Sequence, residues 1–110
     1  MSMQPLMMSI VDILRRAKQR INKPQKWISY WSVSDDGKRL CAAHAVGWAA
    51  GCDDSLSEFS SDALAALKAL AAESGINPLW TDYERVAYLN GGRHRDVMAA
   101  FDRAIQRLER

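Results

Sequence analysis

Cysteine and histidine are scarce in this sequence, with two of each among its 110 residues. Two cysteines are too few for a disulfide-stapled scaffold. If residues 41–50 are helical, Cys41 and Cys52 lie about 15 Å apart along the chain, whereas the Cα atoms of a disulfide lie within roughly 7 Å of each other. We therefore expect reduced thiols and a cytoplasmic protein.

Long apolar runs are also missing. No stretch of about 18 apolar residues occurs, so the sequence predicts no membrane span. The first residues have no basic region before an apolar one, which excludes the pattern of a secretory signal. With 48% apolar and 25% charged residues, a chain of 110 residues fits one soluble globular domain.

Complete catalytic motifs are absent as well. There is no phosphate-binding glycine loop and no nucleophile elbow, and the paired aspartates lie in turn-like segments. Cys41 and His44 stand three residues apart. Three interpretations of this pair are open. The two residues are a nucleophile with its base, or ligands of a zinc site together with Cys52 and His94, or buried residues at the start of a helix. The last interpretation is favoured because an unpaired cysteine is usually buried. We predict no catalytic residue, no metal site and no cofactor.

Helical periodicity dominates the rest of the chain. Ser9 is a predicted N-cap, and Thr81 with Glu84 matches a capping box. Gly47, within a run of alanines, predicts a central helix that a neighbour approaches closely. Apolar spacing and cap residues predict helices over residues 9–22, 41–50, 61–74, 82–89 and 93–109.

Residues 27–40 show a different pattern. The stretch 27–33 is aromatic and β-branched, and it is followed by a turn signal, Ser-Asp-Asp-Gly, at 34–37. This pattern predicts a short β-hairpin. The expected fold is mainly α (α+β), with about five helices packed against the hairpin. Residues 1–8 are expected to be a flexible N-terminus, and residues 9–110 a single compact domain.

Positive charge is concentrated near the N-terminus. Six basic residues and no acid lie between positions 15 and 26. The stretch is either the solvated face of an amphipathic helix or an electrostatic footprint for nucleic acid or an acidic partner. One of the four tryptophans, Trp31 or Trp48, is expected to be partly exposed. The predicted partner-binding residues are Arg16, Arg20, Lys23, Lys26, Trp31 and His44.

The order of these signals resembles a known family. The matching positions are Trp27, Asp36, Gly37, Cys41, Ala42, Ala45, Trp80, Asp82 and Val97. This pattern is similar to that of small bacterial and phage proteins catalogued as domain of unknown function 6197, over about residues 10–108. His44, Thr81 and Asp96 depart from the pattern. The resemblance implies a compact cytosolic domain, often carried on phage or mobile genomes, and it implies no activity.

Three functions are compatible with the sequence. The first is a non-enzymatic interaction or regulatory module with an unknown protein partner, such as a phage-type inhibitor of a host or defence complex, including CRISPR effectors. The second is nucleic-acid binding through the basic stretch 15–26, which would be strongly salt-dependent. The third is a small enzyme that uses Cys41. A monomer and a homodimer are both compatible with the sequence.

Overall fold

Helices make up most of the described chain. The computed structural model describes residues 9–29, 33–52 and 59–110. Within these ranges lie α1 (Ile10–Arg20), a 3-10 turn (Pro24–Lys26), α2 (Ala42–Ala49), α3 (Ser61–Ala72), α4 (Asp82–Leu89) and α5 (His94–Glu109). The prediction of a mainly helical fold with about five helices is confirmed. The N-terminus that was predicted to be flexible, residues 1–8, lies outside the described residues.

Local capping signals explain where the helices begin. The Ser9 hydroxyl accepts the Asp12 N–H at 3.1 Å at the start of α1. Thr81 and Glu84 form the reciprocal capping box of α4. Each cap satisfies N–H groups that have no partner inside the helix. Because these signals are local, the sequence placed the helix starts to within one or two residues.

The hydrophobic core surrounds α1 and α2. α1 packs against α2, α3 and α5, and α3 packs against α4. Six of the eight residues of α2 are buried, which confirms its predicted central place. Their small side chains let the neighbouring helices approach closely. The largest fully buried apolar side chains are Ile13, Leu14, Ile21, Val46, Leu67, Leu70, Val86, Val97 and Phe101.

Gly47 shows how close one of these approaches is. A Cβ atom built at this position would lie 2.5 Å from Cε1 of Phe59. Real Cβ atoms do not come this close to another carbon, so the Phe59 ring occupies the space that a side chain would need. The glycine therefore lets Phe59 pack against the middle of α2, despite its cost in helix propensity.

The predicted β-hairpin is not supported in the described part of the chain. Leu40 makes two isolated bridges, a parallel one with Trp27 and an antiparallel one with Val33. Its N–H donates to the Lys26 carbonyl at 3.1 Å, and its carbonyl accepts the Ile28 N–H at 3.2 Å. One residue thus joins two segments, where a hairpin would need a continuous ladder.

Side chains take the place of strand pairing in this region. The Ile28 carbonyl accepts from the Asn90 side chain at 2.9 Å, and the Arg39 N–H donates to the Ser34 hydroxyl at 2.9 Å. The Ser34 N–H also donates to the Arg39 carbonyl at 3.0 Å, and this pair closes the turn without extending into a continuous ladder over the described residues. The predicted turn does form, since the Gly37 N–H donates to the Ser34 carbonyl and Gly37 has a φ of 71°. Residues 30–32, including Trp31, lie outside the described residues.

Asn90 joins three parts of the fold through one fully buried side chain. Its Oδ1 accepts the Trp27 indole N–H at 2.6 Å and the Ala42 backbone N–H at 2.9 Å. Its Nδ2 donates to the Ile28 carbonyl. The end of α4, the segment after α1 and the start of α2 are thereby held together.

We predict that Asn90→Ala destabilises the protein by about 3 kcal/mol or more, since it leaves buried donors and an acceptor without partners. Urea unfolding followed by circular dichroism measures this loss. The control is Asn22→Ala, at an exposed asparagine, which should change stability by less than about 0.5 kcal/mol. Equal effects of the two substitutions would contradict the role assigned to Asn90.

We also predict that Gly47→Ala destabilises the protein by about 1–3 kcal/mol, since overpacking against Phe59 outweighs the gain in helix propensity. The same unfolding assay measures the change. Introducing Phe59→Leu together with Gly47→Ala should recover part of the loss, because the smaller side chain can withdraw. A more stable Gly47→Ala variant would show that the ring moves aside without cost.

Candidate functional site

The basic residues of α1 divide into two sets. Arg15 forms an ion pair with Glu109, and Lys18 forms one with Asp102, both on α5. These contacts dock α1 against α5. Arg16, although next to Arg15 in sequence, lies on another side of the helix, because successive residues are turned by about 100°.

Arg16 and Arg20 lie against Trp48 of α2. Their guanidinium carbons are 5.0 Å and 5.6 Å from the centre of the indole ring, within the range of a cation–π interaction. The two arginines are one turn apart and therefore face the same way. Trp48 is 43% exposed, so the ring and both charges are accessible to a partner.

An open groove of about 630 Å³ surrounds this stack. It adds basic residues from two further elements, the 3-10 turn and the 34–37 turn region. We call it the cationic groove. It is lined by Arg16, Arg20, Lys26, Lys38 and Trp48, together with Gln19 and Gln25.

The turn beside Lys38 is held rigidly. The Asp36 carboxylate accepts the Ser34 hydroxyl at 2.7 Å and the Lys38 N–H at 3.0 Å. These bonds, that of Ser34 foremost, hold the pKa of Asp36 below its ordinary value. Arg20 Nη2 donates to the Gly37 carbonyl at 3.2 Å, which links α1 to this turn. The Arg20 side chain is thus joined to the turn that precedes Lys38.

None of the four basic residues of the cationic groove forms an ion pair in the described part of the chain, although the charge of Lys38 helps to lower the pKa of the neighbouring Asp36 carboxyl. Every ion pair found there, at N···O distances up to 4.0 Å, involves other arginines and lysines. Four like charges that converge on one groove repel each other. An anionic ligand would relieve this repulsion, and guanidinium groups would bind it through paired N–H donors.

Cys41 and His44 are close enough to interact. Cys41 Sγ lies 2.9 Å from His44 Nδ1. The same sulfur accepts the His44 N–H at 3.4 Å as the N-cap of α2. Cys41 is fully buried, so a substrate has no route to its sulfur in this conformation. The geometry favours a capping and packing role.

The histidines and cysteines do not converge on one point. His94 Nε2 lies 2.7 Å from the Ile21 carbonyl, and its ring packs edge-on against Trp27. Cys52 lies beside Ser60. In the described ranges no group of three or more histidine, cysteine or acidic side chains is arranged to hold a metal ion.

The predicted binding residues lie in different places, and their role in binding stays a prediction. Arg16, Arg20 and Lys26 line the cationic groove. Lys23 is exposed but outside its lining, and His44 lies half-buried beside Cys41. Trp31 lies outside the described residues.

Trp48, one of the two candidates for a partly exposed tryptophan, is the ring on which Arg16 stacks in the cationic groove. Lys38 was missed, because it reaches the groove only through the fold. The i, i+4 spacing of Arg16 and Arg20 was the one available sequence signal for a shared face.

These features define a small helical domain with a cationic, tryptophan-centred surface groove. A family model described as a family of unknown function, DUF6197, matches residues 6–107. The chain therefore belongs to the DUF6197 family, as the sequence pattern indicated. The comparisons find no similar chain among the curated proteins or the solved structures. None of the helices in the described segments is long and apolar enough to cross a membrane.

We predict that Cys41 is protected from thiol reagents in the folded protein because its side chain is buried. Titration with a chromogenic disulfide reagent should detect Cys52 first, and Cys41 only after denaturant is added. Cys41→Ala identifies which thiol belongs to which phase. Rapid reaction of both thiols without denaturant would contradict the burial of Cys41 and would favour Cys41 as a nucleophile.

Proposed function

We propose that this chain is a non-enzymatic protein-interaction module that binds an acidic segment of a partner protein in the cationic groove. The observation that carries this proposal is the division of charge on α1. Arg15 and Lys18 are paired with acids of α5, whereas Arg16 and Arg20 lie on an exposed indole without an acidic partner.

The chemistry of the cationic groove suits carboxylates. A guanidinium group offers planar, paired N–H donors that match both oxygens of a carboxylate. An arginine stacked on an aromatic face keeps the donors at its edge available. Tryptophan and arginine are also the residues that most often dominate binding energy at protein interfaces. Trp48 would supply apolar contact area, and the surrounding basic residues would supply charge complementarity.

Nucleic-acid binding is the second function that the same basic residues support. Two acidic residues count against it. Asp35 and Asp36 belong to the turn whose Gly37 carbonyl contacts Arg20, so they lie beside the cationic groove. A phosphate backbone that continued past the groove would meet this negative charge. A short acidic protein segment can end before it.

The two cysteines support a proposal for the cellular setting. Cys41 and Cys52 form no disulfide, and free thiols are the state that reducing compartments maintain. We therefore propose a cytoplasmic protein with a cytoplasmic partner. Catalysis by Cys41 is disfavoured by the burial of its sulfur.

We predict that Arg16→Ala weakens the binding of a glutamate-rich, fluorescein-labelled peptide by about tenfold, which corresponds to about 1.4 kcal/mol. The loss follows from removal of one unpaired guanidinium group and its stack on Trp48. Fluorescence anisotropy measures the affinity, and the same peptide with glutamine in place of glutamate reports the contribution of charge.

The matched control is Arg15→Ala, which removes the same charge one residue away but from the face that contacts Glu109. It should leave the peptide affinity within about twofold and cost at most about 1 kcal/mol of stability, because this ion pair is exposed. Equal weakening by both variants would mean that net charge alone drives binding. Tight, salt-sensitive binding of a single-stranded oligonucleotide, with none of the peptide, would favour the nucleic-acid function.

A further inference from the structure

The basic residues of the cationic groove reach it from three separate elements. Arg16 and Arg20 belong to α1. Lys26 ends the 3-10 turn, and Lys38 follows the turn at 34–37. The volume of the groove, about 630 Å³, lies in the range of ligand-binding pockets. A ligand in the cationic groove would therefore meet N–H donors from several directions.

The Arg20 side chain is restrained by contacts within the chain itself. Its guanidinium carbon lies 5.6 Å from the centre of the Trp48 ring, and its Nη2 donates to the Gly37 carbonyl at 3.2 Å. A guanidinium group has five N–H donors, so this bond leaves others for an anion. Because the side chain is already restrained, binding a ligand costs less of its conformational entropy.

Two kinds of anionic group on a protein segment would use these donors differently. A carboxylate carries one negative charge on two oxygens in one plane, which match the paired N–H groups of a single guanidinium. A phosphorylated serine carries about −1.5 to −2 charges at pH 7 and offers three acceptor oxygens. These oxygens point in different directions, so they can accept from arginine and lysine side chains on separate elements at once. The distribution of donors in the cationic groove therefore favours the phosphoryl group.

The adjoining turn favours a ligand whose charge is concentrated at one point. Asp35 and Asp36 belong to the turn that contacts α1 at the Gly37 carbonyl. Hydrogen bonds, that of the Ser34 hydroxyl foremost, hold the pKa of Asp36 below its ordinary value, so its carboxylate stays ionised. A long run of acidic residues would extend towards this negative charge, and like charges repel each other. One phosphoryl group supplies a similar charge without that extension.

We propose that the cationic groove recognises a phosphorylated serine within the partner's segment, with Arg16, Arg20 and Lys38 around the phosphoryl group. This inference rests on the proposed function, since it names the acidic group that the cationic groove binds. The exposed part of the Trp48 ring contacts the neighbouring residue of the segment, which distinguishes a peptide from a free phosphorylated molecule. The partner then binds once it is phosphorylated and is released once the phosphoryl group is removed.

Three fluorescein-labelled peptides test this inference. They share one neutral sequence and differ only at a central pair of residues, which is phosphoserine–serine, glutamate–glutamate or serine–serine. The first two carry about the same charge. Fluorescence anisotropy with the full chain, at constant ionic strength, measures each affinity. The phosphoserine peptide should bind about tenfold more tightly than the glutamate peptide, since its third oxygen accepts one further charge-assisted hydrogen bond. The serine peptide should bind more weakly than either.

The matched variants are Lys38→Ala and Lys23→Ala. Both lysines are exposed, but Lys38 lines the cationic groove and Lys23 does not. Lys38→Ala should weaken binding of the phosphoserine peptide by about tenfold, and binding of the glutamate peptide by less, because it removes one of the separate donors. Lys23→Ala should leave both affinities within about twofold, since salt screens a charge outside the groove. Circular dichroism checks that both variants fold.

Each contrary result has a distinct meaning. Equal affinities of the phosphoserine and glutamate peptides would overturn this inference and leave the acidic-segment function standing. Failure of both peptides to bind would overturn both proposals. Equal losses in the two lysine variants would show that net charge selects the phosphoserine, which would overturn the inference. Displacement of the peptide by an equal concentration of free O-phosphoserine would identify a small phosphorylated molecule as the ligand and would also overturn it.

Discussion

The buried side chain of Asn90 is the interaction on which the arrangement of the other elements depends. It joins the end of α4, the Trp27–Ile28 segment and the first residue of α2 through hydrogen bonds. An apolar residue of similar size would fill the space but leave these groups unpaired, at a cost of about 1–3 kcal/mol for each. Asparagine fits because it offers an acceptor and a donor from one planar amide.

This constraint extends to the proposed binding surface. Asn90 fixes the first N–H of α2, and the buried small residues of that eight-residue helix set its rotation in the core. Trp48 must then face outward, towards α1. The Arg20 contact with the Gly37 carbonyl orients the adjoining turn. The cationic groove is therefore assembled from elements that the core already holds in place, and little rearrangement is needed for binding.

The sequence predicted those features that depend on nearby residues. The helix starts could be predicted because Ser9, Thr81 and Glu84 form their capping hydrogen bonds with groups only three residues away. The hairpin prediction was wrong because Leu40 pairs with both the Trp27–Ile28 segment and Val33, an arrangement that depends on tertiary packing and includes the Asn90 contact with the Ile28 carbonyl. The charge run indicated Arg16, Arg20 and Lys26. Their convergence with Lys38 on Trp48 depends on tertiary packing, which no local pattern encodes.

The basic residues of α1 divide into those that pair with acids of α5 and those that belong to the proposed binding surface. Arg15 and Lys18 contribute to the fold, since their ion pairs with α5 neutralise charge where the two helices pack together. In the cationic groove the contacts of Arg16 and Arg20 with Trp48, and of Arg20 with the Gly37 carbonyl, also join elements of the fold, but they bring like charges together, which repel each other. Arginine stacking on the indole offsets part of this repulsion and keeps the donors available. A surface that opposes stability while it remains ordered is the arrangement expected of a binding site.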